Sequence, residues 1–276
     1  MKIKNKFLLL SLMSMLGTNL IGCGSNEEDK IVYLESTVLE HDDLEDIIES
    51  SEVVEESKVE EVVVDPKEEV MNLIDSGIKK VYYATEDTNI NIPSYLSSTG
   101  MEENILLPKL ECLEVYEEVD NICLVKTNDY IGYVDTITLE ELLGNFVVVD
   151  ISNQELKLYS NNEVILTSPV VTGKPSTPSD QGLFEIYDIS GPRYLVGPNY
   201  RSYVDIMMKY NGGEGLHDAQ YHQHEDGFNH GWRDLEEFGG ETYLTDGSHG
   251  CVNMIREDVI MVREHVDIGT KVLVKQ

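Results

Sequence analysis

The chain has 276 residues, room for two modest domains and extra segments. Its 52 acidic residues against 20 basic ones give a formal charge of -32. That sign excludes nucleic acid as a partner, because binding there needs a basic face that displaces counterions.

Lys2, Lys4 and Lys6 precede an apolar run over residues 7–21, broken only by Ser, Thr, Asn and Gly. The run is shorter than the roughly 20 apolar residues that a spanning helix needs. With its basic start it reads as an export signal, residues 1–22. It ends in Leu20-Ile21-Gly22-Cys23, which resembles the lipobox of bacterial lipoproteins. The resemblance implies that Cys23 is acylated, becomes the new N-terminus and anchors the chain to the outer face of the cell membrane. The alternative is an ordinary secretory signal cleaved near Cys23. A Cys23→Ala protein that stays tightly membrane-bound would refute acylation.

Residues 24–69 hold 18 Asp or Glu against 3 Lys, with no aromatic after Tyr33 and one proline, Pro66. Such a composition buries too little apolar surface to offset ordering entropy. Residues 23–77 are therefore expected to be an acidic, largely disordered tether. Short helices around 39–48 or 59–74, or a specific acidic docking segment, are the other readings.

Residues 78–143 change character. Strand candidates are 78–84, the alternating Thr88–Ile92, 105–107, 113–116, Ile122–Lys126 and 130–134. Short strands at close spacing, with turn residues between them, suggest a small barrel. The closing Gly132-Tyr133-Val134 resembles the last strand of the bacterial SH3-like modules of cell-wall enzymes. That resemblance implies attachment to wall polymer or packing against a catalytic domain; a plain spacer is the alternative. Cys112 and Cys123 read as free core thiols, with a bridge across paired strands as the other possibility.

Residues 144–276 open with the buried strand candidate Phe146–Asp150, followed by a hairpin that turns at Asn161-Asn162. A Pro/Ser/Thr loop over 174–180 separates it from a strand at 182–186. One helix is predicted, at about 255–265, before a last strand at 271–274. The chemistry concentrates in Ser248-His249-Gly250-Cys251-Val252-Asn253. A glycine before a cysteine lets a carbonyl approach the sulfur. An imidazole nearby lowers a thiol's pKa, and the thiolate is the nucleophile. A buried core cysteine beside a turn is the bland reading.

This hexapeptide, together with Asn153-Gln154, the stretch 168–174, Thr177-Pro178 and Gly182-Leu183-Phe184, resembles the L,D-transpeptidase catalytic domain, also called the YkuD domain. The resemblance implies a fold that is mainly β: a small SH3-like barrel, then an L,D-transpeptidase-type β-sandwich with one late helix. It implies that Cys251 forms a thioester and that an upstream histidine is the base. It assigns His217 the base role, with the Asp218 carbonyl fixing its tautomer. The amides of Gly250 and Cys251 would hold the oxyanion, and the dipole of the late helix would favour the thiolate. His249 would shape the pocket. Ser248 and Asn253 would hold loop or substrate, and Tyr200, in Gly197-Pro198-Asn199-Tyr200-Arg201, would lie near the acyl site.

His230 is the second candidate base. Its spacing to Ser248 fits the family, whereas the surroundings of His217 fit it better; an insertion of about 13 residues between His217 and Trp232 reconciles the two. The insert, 220–231, carries His222, His224 and His230. It reads as a polar lid loop, with no metal and no cofactor; a zinc site is the alternative, since His-x-His places two imidazoles on one strand face.

The expected activity is formation of 3→3 cross-links in peptidoglycan, with a tetrapeptide stem as donor and a side-chain amine as acceptor. Carbapenem-type inhibitors are expected to acylate Cys251. The alternatives are an L,D-carboxypeptidase and a non-enzymatic wall-binding lipoprotein.

Overall fold

The computed structural model describes residues 64–197 and 200–276. The export signal, Cys23, the acidic stretch to residue 63, and Pro198-Asn199 lie outside the described residues.

The described chain is mainly β, with few helices. It opens with helix α1, Pro66–Asp75. The Asp65 carboxylate caps it by accepting from the Lys67 amide at 2.9 Å. Pro66 presets φ in the first turn, and Glu68 and Glu69 meet the positive end of the dipole. Val70 is buried with Tyr116 and Leu124. This corrects the expectation of a tether that reaches residue 77. Here the acids cap and charge a helix whose apolar stripe finds a sheet to cover.

Seven strands follow: β1 (Lys80–Ala84), β2 (Thr88–Ile92), β3 (Glu103–Leu107), β4 (Cys112–Val119), β5 (Ile122–Lys126), β6 (Ile131–Asp135) and β7 (Leu139–Leu142). They form one antiparallel sheet in the order β3-β2-β6-β5-β4-β1-β7. In β2 the side chains alternate between buried and exposed, as period two requires. The β4–β5 connection is a two-residue turn, Asp120-Asn121, with φ of 52° and 72°. Such turns match the twist of the flanking strands. In this register Cys123 faces Glu118. Cys112 sits at the far end of β4, roughly 20 Å away at about 3.3 Å per residue. A disulfide spans at most about 7 Å between Cα atoms, so the register rules out a bridge, and both thiols are free.

The second sheet has nine strands in the order β11-β20-β8-β9-β10-β19-β16-β15-β12. Its members are β8 (Phe146–Asp150), β9 (Glu155–Ser160), β10 (Glu163–Val171), β11 (Gly182–Glu185), β12 (Asp188–Ser190), β15 (Met207–Asn211), β16 (Glu214–Asp218), β19 (Val252–Met254) and β20 (Lys271–Lys275). Two hairpins stand apart from it: β13 (Arg193–Gly197) with β14 (Tyr200–Val204), and β17 (His222–Gln223) with β18 (Asn229–His230). Within the sheet only β20–β8 and β16–β19 are parallel. The late helix is α3, Arg256–His265, which buries Val259 and Val262 in the cluster that holds Leu216, Val252 and Met254. It is not alone: besides α1 there is a short α2, Thr242–Asp246.

The two sheets meet in one apolar cluster. Val81, Tyr83 and Leu142 pack with Phe146, Val148, Tyr159 and Leu273. At the same junction buried Lys275 reaches Asp150 at 2.8 Å and Glu111 at 3.2 Å. Three charges leave water together there, so removing one would strand the others.

Candidate active site

Residues 248–251 form the loop that enters β19. Gly250 has φ +114°, and a Cβ there would stand 2.5 Å from Glu214 Oε1. Only glycine meets both demands without strain. The Ser248 hydroxyl donates to the Cys251 carbonyl and accepts from the Gly250 amide at 3.0 Å. Ser248 therefore holds the loop.

The Pro/Ser/Thr loop is the mould for this turn. The Ser248 amide donates to Thr172 O, and its carbonyl accepts from the Lys174 amide. The Thr177 hydroxyl donates to the same carbonyl at 2.9 Å, and the Ser179 hydroxyl donates to Gly250 O at 2.7 Å. Gly173 permits the close approach, since a Cβ would lie 2.3 Å from Thr177 O. Behind it, buried Gln154 accepts from the Thr172 amide at 2.9 Å and donates to Thr172 Oγ1 at 2.7 Å.

Parallel pairing of β16 with β19 sets His217 opposite Asn253. His217 is buried, and its Nδ1–H donates to the Asp218 carbonyl at 3.0 Å. In the neutral ring this leaves the lone pair on Nε2. The surrounding donors and acceptors orient the Asn253 amide: Oδ1 accepts from Arg233 Nε at 2.9 Å, and Nδ2 donates to His217 Nε2 at 3.2 Å. Asn253 thus orients the ring. Burial holds the imidazole below its ordinary pKa; the Arg233 guanidinium lowers it further, and Asp218 opposes. The Asp218 carboxylate makes no hydrogen bond to the ring and acts on it only through its charge. It accepts the amides of Asp205 and Ile206 at 2.9 and 2.8 Å.

Cys251 is half-buried. Its thiol donates to Gly213 O at 3.7 Å rather than to His217. Burial pushes the thiol up to about 11; the Gly215 amide and Lys209 pull it down, and Glu214 adds to the rise. Burial thus opposes the lowering that a nearby imidazole gives a thiol. The proton has to leave as the sulfur attacks. Catalytic hydrogen bonds that are open in a free enzyme commonly tighten only with substrate. The Gly250 amide is spent on Ser248, so of the two expected oxyanion donors only the Cys251 amide is left for that task.

At the mouth, exposed His249 stacks on Tyr200, ring centroids 4.7 Å apart. Tyr200 starts β14, so the β13–β14 hairpin reaches over the cysteine loop. His230 lies elsewhere. The insert leaves the sheet after Ala219 and returns at Trp232, whose amide donates to Ala219 O at 2.9 Å. Within it His230 faces Asp205 and Asp226. Strand pairing therefore puts His217, and not His230, on the strand beside that of Cys251. Sequence reasoning missed two members of the site. Buried Arg233, tied to Asp246 at 3.0 Å, was seen only as a neighbour of Trp232. Glu214, packed against Gly250, carried no signal beyond its place before the histidine strand.

Residues 144–274 match the YkuD family, the L,D-transpeptidase catalytic domain. This stretch belongs to that family. The catalytic domain of an E. faecium L,D-transpeptidase, solved acylated by ertapenem, is similar to the YkuD segment. It is 30% identical, over 49% of this chain and 100% of its own, with a TM-score of 0.41. A mutant Enterococcus faecium L,D-transpeptidase is 23% identical over 76% of this chain and 82% of its own, with a TM-score of 0.44. An L,D-transpeptidase from Mycobacterium smegmatis is 16% identical over 74% of this chain and 85% of its own, with a TM-score of 0.39. No curated protein matches the chain.

Proposed function

We propose that the chain is a peptidoglycan L,D-transpeptidase that works through a Cys251 acyl-enzyme. The observation that carries this reading is the β16–β19 pairing, which sets His217 beside the strand that Cys251 enters, with Nδ1 committed to Asp218 O. Cys251 Sγ attacks the carbonyl of the donor stem's third residue while His217 Nε2, released by the Asn253 amide as substrate enters, takes the thiol proton. The C–N bond to the terminal D-Ala breaks, and the imidazolium returns the proton to the leaving amine. The side-chain amine of a second stem then attacks the thioester, gives its proton to His217, and regenerates the thiol. The Cys251 amide stabilises the oxyanion in both halves. Cys23 is proposed to anchor the enzyme outside the membrane, and the first sheet to act as an SH3-like module packed on the YkuD domain.

The test is mass spectrometry of products from a purified tetrapeptide muropeptide, with Cys251→Ala as the blank. A cross-linked dimer with release of D-Ala is expected. Tripeptide without dimer would make the enzyme a carboxypeptidase. Unchanged substrate, with no carbapenem adduct on Cys251, would sink the enzymatic reading.

A further inference from the structure

The insert that the active site does not use carries a second constellation. Antiparallel pairing puts His230 opposite His222, and period two puts His224 on the face of His222. All three imidazoles converge on Asp205, at the end of the β13–β14 hairpin. Asp205 divides its carboxylate. Oδ2 is saturated by Arg256 Nη1 at 2.6 Å and His222 Nε2 at 3.0 Å. Oδ1 faces His224 Nε2 and His230 Nδ1, each at 3.4 Å.

These two separations are long for charge-assisted hydrogen bonds, which run about 2.7–2.9 Å. They match the edge of a tetrahedron around zinc, about 3.3–3.5 Å for metal–ligand bonds of ~2.0–2.2 Å. The far side of each ring is also occupied. Asp226 lies behind both rings: Oδ1 is 3.3 Å from His224 Nδ1, Oδ2 is 3.1 Å from His230 Nε2, and the Asp226 amide donates to His224 Nδ1 at 3.3 Å. The His224 and His230 rings stack with centroids 4.2 Å apart, which brings their Asp205-facing nitrogens to one side of the insert.

We infer that Asp205, His224 and His230 bind a divalent transition metal ion of the zinc class, with Asp226 as the outer carboxylate that holds the His230 ring. The ligand atoms of the three residues lie within 4.8 Å of one another. A fourth position is left for water. The ion ties the insert to the root of the hairpin whose tip carries Tyr200, replacing the metal-free polar lid expected from sequence.

The test uses full-length Cys251→Ser protein without a polyhistidine tag, so that neither the reactive thiol nor a tag supplies ligands. It therefore reads independently of the acyl-transfer proposal. After chelator treatment, zinc titration is expected to give one bound equivalent. The midpoint of thermal unfolding is expected to rise by roughly 5–10 °C at zinc a hundredfold above Kd. Cobalt(II) loading is expected to give tetrahedral ligand-field absorption. His224→Ala/His230→Ala is expected to abolish binding and shift alike. Should that variant fold poorly, Asp226→Asn keeps the three ligands and is expected to weaken zinc about 10–100-fold. No stoichiometric zinc, or equal zinc in wild type, His224→Ala/His230→Ala and Asp226→Asn, overturns the site.

Discussion

His217→Ala is expected to slow acylation of Cys251 by a carbapenem by a factor of about 10²–10⁴, the usual span for removing a general base. His217→Gln, which keeps the volume of this buried residue, is expected to fall in the same range. His230→Ala is expected to cost far less, because His230 belongs to the Asp205 group. The pH profile sharpens the test. Burial and Arg233 hold the His217 imidazole below its ordinary value, so its base form survives into mildly acidic solution. Wild-type acylation should therefore be flat through neutral pH and fall only as the imidazole takes its proton, below the ordinary histidine range. Without His217 the sulfur must ionise unaided. Its thiol is pushed up to about 11, so the variant's rate should climb steadily with pH into the alkaline range. Intact-protein mass spectrometry against time measures both. A larger loss in His230→Ala than in His217→Ala, or parallel pH profiles for wild type and His217→Ala, would remove His217 as the base.

Gly250→Ala is expected to cut acylation by about 10²-fold or more, with the protein still folded. At φ +114° an alanine is strained by roughly 1–3 kcal/mol. Its Cβ would also press on Glu214 Oε1. The Glu214 carboxylate can swing aside, but the dihedral strain is relieved only by moving the backbone, and the next residue carries the sulfur and the free amide. A displacement of about 1 Å at a reacting atom costs on the order of a hundredfold. Gly250→Ala/Glu214→Ala separates the two causes. If the dihedral dominates, the double variant stays slow; if the clash dominates, it recovers. Acylation of Gly250→Ala at the wild-type rate would show that the turn does not position the thiol.

Much of the scaffold was legible because it is written in local rules. The alternation in Thr88–Ile92, the paired asparagines at 161–162 with their positive φ, and the unbroken apolar run Phe146–Asp150 each state a strand or a turn in place. Helix α1 was read only as an alternative to the tether, around 59–74, because its acids matched a disordered composition; the Asp65-Pro66 start was the signal that fixed where it begins. The Pro/Ser/Thr loop was read as a connector, whereas its hydroxyls shape the cysteine turn.

The sequence by itself determined that a cysteine follows a glycine in a histidine-bearing loop, and that two upstream histidines compete for one role. Those are statements about neighbours along the chain. Only the tertiary structure showed which histidine lies beside the strand that Cys251 enters, because pairing between distant strands leaves no local trace. It also set the direction in which the thiol's pKa moves: desolvation is a property of everything packed around the sulfur, and no hexapeptide contains that.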